Sequence, residues 1–390
     1  SNTRVGVNTG NSIASGGNFN VLVGDEAGTA ITTGDGNVAV GFEALKTEDA
    51  NGESTAVGYQ ALKTQNAGAS GLNTAVGYQA GLSVTTGVQN TLIGAQAGDA
   101  LTSGGQNVAI GYLALSLETT SSNNVAIGRE ALKTSNGGSG NTAIGRTALA
   151  ATTTGDDNVG VGLNALLANT TGTLNVAVGM NAVDANTTGD KNTGIGQGAL
   201  STNTTADNNT AVGFGALNLN TTGDTNTAVG KDSMKTNTTG TNNGAFGTRT
   251  LQLNTTGSSN VAVGDLALGA NTTGGANVAV GSGALDANTT ASNNTGVGFN
   301  ALTANTTGAS NTSVGKSSSR SNTTGTQNSA FGFFAYASGT TGGQNVAVGF
   351  AALDANTTAS NNTAVGASAL SADTIGTSNV AVGTGALAAN

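Results

Sequence analysis

The side chains of this 390-residue chain that could do chemistry are carboxylates, hydroxyls and amides. It has 21 acids and 12 bases but no histidine and no cysteine. Without those two, the common nucleophile–base pairs cannot be built. Asp156 and Asp157 are adjacent, and paired carboxylates could share acid–base work, but these two sit in a turn and read as solvated. The expectation is therefore that the chain is not an enzyme. Asp184, Asp286 and Asp354 recur at one repeat position beside Asn-Thr-Thr. Calcium takes several oxygen ligands, yet the Gly-Gly-x-Gly-x-Asp pattern of calcium β-rolls is missing. Acids in three of 23 copies make no systematic site, so neither metal nor cofactor is expected.

Asn186-Thr187-Thr188 and its copies satisfy the N-glycosylation sequon, although the same residues serve a turn and a ladder equally well. The threonine columns would suit an ice-like lattice, but Thr187 and Thr188 point to opposite sides, so one per coil would face out. Gly-x-x-Gly patterns lack the following lysine and the helix that a phosphate cradle needs. Phe331, Phe333, Phe334 and Tyr336 cluster in a chain with only 9 Phe and 4 Tyr. They read as a fatter core in a coil lacking leucine; the functional alternative makes Phe333, Phe334 and Tyr336 an exposed contact for a glycan or protein receptor.

Composition narrows the class further. Glycine is 63 residues and proline is absent, which excludes collagen. Only 8% of residues are charged, against a disordered polyelectrolyte. A net charge of −9 with scattered lysine and arginine gives no footprint for nucleic acid. No apolar run approaches the roughly 20 residues of a membrane span, so no membrane insertion is expected. The chain starts and stops within repeats, as a processed chain or part of a longer one would.

What positions all of these residues is a repeat. Asn175-Val176-Ala177-Val178-Gly179 recurs at 17-residue intervals from Asn73 through Asn379. The step from Ser54 to Asn73 is 19 residues and that from Asn2 to Asn20 is 18. A strict period of this kind marks a solenoid. The reading is one array over 1–390, less regular over 1–72 and strict over 73–390. Counting from the asparagine, position 4 is Val, Ile or Phe and position 5 is Gly in all 23 copies. Position 1 is Asn except at Ser54, position 3 is usually Ala, position 8 usually Ala and position 9 most often Leu.

The pattern predicts an all-β, parallel β-solenoid, or β-roll, of about 23 coils. Positions 1 to 4 read as one strand, with 2 and 4 on one face and the alanine on the other. Glycine then ends the strand through positive φ or close backbone approach; Gly111, Gly128, Gly179, Gly196, Gly213, Gly264 and Gly349 are the structural turn glycines. Positions 7 to 11, such as Gly215-Ala216-Leu217-Asn218-Leu219, read as a second strand, and Asn-Thr-Thr-Gly as the return turn. Asn107, Asn124, Asn175, Asn192, Asn209, Asn260 and Asn345 should stack into a ladder of identical amides. At about 4.8 Å per coil the array would be on the order of 110 Å long. The two extra residues before Asn73 could form a bulge that re-aims a loop.

Positions 4 and 9 would give each coil about two large core residues. At roughly 25 cal/mol per Å², so little bulk hardly offsets roughly 1–2 kcal/mol of backbone entropy per residue. Association would relieve this, with Ala at position 3 letting backbones approach. The expected partner is the chain itself, as an intertwined or side-by-side homotrimer, with end-to-end assembly also open.

Asn107-Val108-Ala109-Ile110-Gly111 and Asn124-Val125-Ala126-Ile127-Gly128 resemble the head-domain repeats of YadA-like trimeric autotransporter adhesins. The Asn-Thr-Ala-Val-Gly and Asn-Thr-Thr-Gly arrays are similar to phage tail-fibre shafts. The repeat here is longer than is usual in the adhesins, so its outer turn should be enlarged. The resemblance implies a left-handed trimeric β-roll, a structural fibre or adhesin shaft outside the cell, at the cell surface or on a virion, that helps attach to an unknown receptor or glycan. The alternative is a repetitive surface that itself binds glycan, matrix or ice. Outward positions 6, 7 and 10 vary, which favours the shaft.

Overall fold

Each Val-Ala-Val or Thr-Ala-Val triplet places β-branched side chains on both sides of an alanine, a pattern that suits extended backbone. These triplets and their variants, such as Gly244-Ala245-Phe246, form 23 three-residue strands. The computed structural model describes residues 1–388, in two compact units, Ser1–Asn192 and Thr193–Asn390. The first contains β1 (Thr3–Val5) through β11 (Val176–Val178), and the second β12 (Thr193–Ile195) through β23 (Val380–Val382). Each unit is a parallel β-solenoid with one strand per coil, and no helix occurs among the described residues.

Neighbouring coils pair like with like. Val108, Ala109 and Ile110 lie opposite Val125, Ala126 and Ile127. The longer step at Ser54 leaves this register intact, with Thr55 opposite Thr74; the extra residues fall in the irregular stretch 65–73.

Three expectations need correction. The strand spans positions 2 to 4, because position 1 makes a different set of hydrogen bonds, described below. Positions 7 to 11 are not a second strand. Position 7 (Gly215, φ +62) and position 9 (Leu217, φ +51) are left-handed, so the chain reverses at each and cannot extend. The alternation turns successive N–H groups up and down the stack: Glu130 N–H donates to Tyr112 O at 2.9 Å in the preceding coil, and Leu132 N–H to Ala148 O at 3.0 Å in the following one. Left-handed leucine costs about 1–2 kcal/mol, which these inter-coil bonds help to offset.

The third correction concerns the core. Position 4 faces outward, and Val178 keeps 37% of its surface exposed. Position 3 faces in, so Ala does not bring backbones of separate chains together. The interior of a coil is Ala177, Ala182 and Val183, all fully buried, with Asn175 and Asn186. Positions 3 and 9 share this interior: a Cβ on Gly160, at position 3, would lie 3.2 Å from Leu149 Cγ, whereas Leu22 and Leu92 fit at position 3, fully buried, where Gly28 and Gly98 hold position 9.

Candidate functional site

Two residues per coil close its polar accounts. The strand begins at position 2, which leaves the N–H of position 1 without a strand partner. The amide of the preceding asparagine supplies one. Asn124 N–H donates to Asn107 Oδ1 at 3.0 Å, Asn192 to Asn175 at 2.9 Å, and Asn226 to Asn209 at 2.9 Å. The Nδ2 group donates to the carbonyl at position 15, as from Asn124 to Gly138 at 2.9 Å. Amide-to-amide bonds are the minor component, as from Asn260 to Asn243 at 3.1 Å and from Asn345 to Asn328 at 3.1 Å. Buried polar groups must be satisfied, and this wiring does so.

The position-5 glycines hold φ near +130: Gly111 at +138, Gly128 at +133, Gly179 at +135, Gly196 and Gly213 at +131, Gly264 at +124 and Gly349 at +134. That region is closed to other residues. Space is closed as well, since a Cβ on Gly111 would stand 2.5 Å from the Gly128 carbonyl oxygen.

The side-chain ladder that does run amide to amide lies at position 12, inside the sequon. Asn237 Nδ2 donates to Asn220 Oδ1 at 2.8 Å, and Asn254 to Asn237 at 2.7 Å. Asn186 donates to Asn169 at 2.9 Å and is fully buried, so this sequon asparagine is closed to a glycosylating enzyme in the folded chain. Sequence reading gave position 12 to a turn or a ladder and named only the position-1 amides as stacked; asparagine in every copy from Asn169 to Asn322 was the available signal.

The aromatic cluster divides. Phe333 is exposed and packs on Phe350 with ring centroids 5.7 Å apart. Phe334 is half-buried beneath Arg320, whose guanidinium carbon lies 4.9 Å from the ring centroid. Tyr336 is not a contact residue: it is 1% exposed. Its ring fills the space above Gly339, where a Cβ would fall inside it. Its hydroxyl donates to Gly342 O at 3.1 Å and accepts from Asn345 Nδ2 at 3.1 Å. Burial pushes that hydroxyl up to about 12. A separate stack, Phe42–Tyr59–Tyr78, has centroids 5.4 Å apart in the first unit.

The acids do not converge. Burial raises the carboxyl values of Asp184, Asp286 and Asp354. Glu43 is held at about 2, first by Lys46 at 2.6 Å and then by Lys63 at 2.6 Å. Among the described residues no three acids, histidines or cysteines are grouped to hold a metal, and no helix is long and apolar enough to cross a membrane.

The threonine columns split by depth. Position 13 turns its hydroxyl to the next coil, as Thr255 Oγ1 does to Thr272 O at 3.0 Å. Position 14 is exposed in ten successive coils from Thr205 to Thr358. On the outer strand face, positions 2 and 4 stand in two columns. Position 4 is exposed at Ile195, Phe246, Val263, Val280, Phe331 and Val348 in the second unit. Comparison with protein-family models and with curated proteins returned no match.

Proposed function

We propose that this chain is a non-enzymatic structural element, the shaft of a trimeric fibre or adhesin displayed outside a cell or on a virion. The observation that carries this reading is the outward strand face, where position 4 is Val, Ile or Phe in every copy and is 43% exposed at Phe246, beside a position 2 that is mainly Val or Thr. Contiguous apolar stripes of this kind mark interaction surfaces. Every copy of the chain carries the same stripe, so self-association covers it. A heterologous contact sets position 2 of one copy against position 4 of the next, and such contacts close into rings. Three copies make the smallest such ring, as the resemblance to YadA-like repeats also implies. Paired backbone and buried amides inside each coil give the shaft stiffness; its role is to hold an attachment surface away from its base.

Sedimentation equilibrium of the full chain tests this. The expected mass is three times the 37.3 kDa of one chain, and Val263→Asp with Val280→Asp should lower it while the β signal in circular dichroism persists. A monomer at tens of micromolar would overturn the trimer. That result would favour the second reading, surface binding through the outer face, which the exposed threonine column at position 14 supports.

A further inference from the structure

Two successive coils of the second unit carry glycine at position 7, Gly198 and Gly215, with φ of +63 and +62. The backbone does not demand glycine there. Asp232, Arg249 and Leu266 hold the same position at φ +53, +53 and +58. What the two glycines supply is room. The Asn218 side chain folds across the first, with Nδ2 donating to Gly198 O at 2.8 Å and to Ser201 Oγ at 2.9 Å. A Cβ on Gly215 would stand 2.9 Å from Asp232 Oδ1, so the second glycine lets that carboxylate lie inward.

The result is a cleft of about 250 Å³. Phe214, 52% exposed, forms one wall, and Gln197 lines the cleft beside it. Asp232 is only 9% exposed, and its Oδ1 is sealed from solvent. The Lys235 ammonium, 3.1 Å away, supplies its counter-charge.

We infer that this cleft binds one pyranose ring of a neutral glycan. The lining combines an aromatic face with a small set of fixed polar groups, the general composition of a ligand site. Both hydrogens of the Asn218 amide are spent, so it offers only an acceptor, Oδ1. Lys235 adds a donor, and Gln197 both. Sugar hydroxyls both donate and accept, and the C–H face of a pyranose matches the Phe214 ring. The Asp232–Lys235 pair carries no net charge, which suits a neutral ligand, and the polar lining disfavours a purely apolar one. Pockets for larger ligands run to roughly 300–1,000 Å³, so this cleft holds one ring and leaves the rest of a chain outside.

For its biological role the inference rests on the attachment reading, since a shaft that holds a glycan takes part in attachment. The two fail separately: mass in solution tests the shaft, and ligand binding at the cleft tests the site. The experiment is saturation-transfer NMR on the full chain with methyl glycosides of glucose, galactose and N-acetylglucosamine. At least one should bind in the millimolar range. Phe214→Ala should weaken that binding about tenfold. Gly198→Asn should do the same while keeping the native thermal midpoint, because Asn300 already occupies this position in another coil at φ +55. No transfer from any of the three, or equal transfer in both variants, would overturn the proposal. Should Gly198→Asn fail to fold, the exposed Phe214 decides the matter alone.

Discussion

The two units share one backbone plan but fill position 12 differently. In the first, that buried column runs Ile31, Glu48, Gln65, Val84, Leu101, Glu118, Ser135 and Thr152 before its first asparagines. In the second, it is asparagine from Asn203 to Asn322. Position 12 can vary because the position-1 asparagine already satisfies the carbonyl beneath it, as Asn90 Nδ2 does for Gly104 O at 3.0 Å beside Leu101. Neighbours in the column often match. Val84 lies next to Leu101 in the sequence of coils. Gln65 Nε2 donates to Glu48 Oε2 at 2.8 Å, and Ser135 Oγ to Glu118 Oε2 at 2.8 Å. Mismatch leaves a mark: Glu48, which follows Ile31, has an oxygen without a partner. An asparagine, with a donor and an acceptor in line, pairs best with another on each side. Uniformity in the second unit is thus self-propagating, and variety in the first is pairwise.

Breaking the uniform column at its natural interruption should give the largest effect. Gly339 replaces the asparagine there, Tyr336 replaces the leucine, and the tyrosine hydroxyl takes over the Gly342 carbonyl. On either side, Asn322 Oδ1 and both polar atoms of Asn356 lack partners. Tyr336→Leu alone should leave a void and cost about 2–4 kcal/mol. Gly339→Asn alone should collide with the ring and cost about 1–3 kcal/mol. Together they should restore the ladder and come close to the parent, a coupling of at least about 2 kcal/mol. Native-state hydrogen exchange of coil 328–344 measures it; additive costs would remove the exchange of roles between Tyr336 and Gly339.

The repeat made the solenoid legible because only a stacked array keeps glycine and asparagine at one spacing throughout a chain. The strand was legible too, through its β-branched pair. The inside and outside of that strand were not. Size favoured Val178 for the core, but position 3 points inward, so Ala177 is buried and Val178 is not. Leu217 could not be read as left-handed, since no propensity favours that state for leucine. Tyr336 and Phe333 look alike in sequence, yet one fills the gap left by Gly339 and the other lies on the surface. The Gly198–Gly215 cleft was hidden because glycine at position 7 reads as one more variable outward residue.

A smaller effect should come from making the second unit resemble the first. Asn254→Leu places at position 12 the side chain that Leu101 carries naturally. In the second unit it removes the donor to Asn237 Oδ1 and the acceptor of Asn271 Nδ2. An unsatisfied buried acceptor costs about 1–3 kcal/mol, and the loss should fall on the coils of Asn237 and Asn271. Asn254→Leu with Asn271→Leu makes a matched pair like Val84 and Leu101, so it should cost less than twice the single change. If the double costs the full sum, neighbour matching is not what governs the column.

The smallest effect separates the units by pH. Burial opposes the charge on Glu118, but its hydrogen bonds outweigh that burial. Ser121 N–H donates at 2.9 Å, Ser135 Oγ at 2.8 Å and Gly137 N–H at 3.3 Å, and together they hold the carboxyl below its ordinary 4.5. A carboxyl lowered on folding stabilises fully above its unfolded value and loses that contribution as pH falls through the folded one. Glu118→Gln should therefore cost about 1–2 kcal/mol near neutrality and little well below pH 4.5, where the parent carries a neutral acid too. Asp99 and Asp184, raised by burial in the same unit, shift stability in the opposite sense, but they act on parent and variant alike and cancel in the difference. The cost of Asn254→Leu has no such dependence, because an amide column does not titrate. Thermal midpoints of both variants against the parent, followed from pH 7 down to about pH 3, supply the test. A flat difference for Glu118→Gln would mean that the charge is idle and that Glu118 serves only to fill its rung.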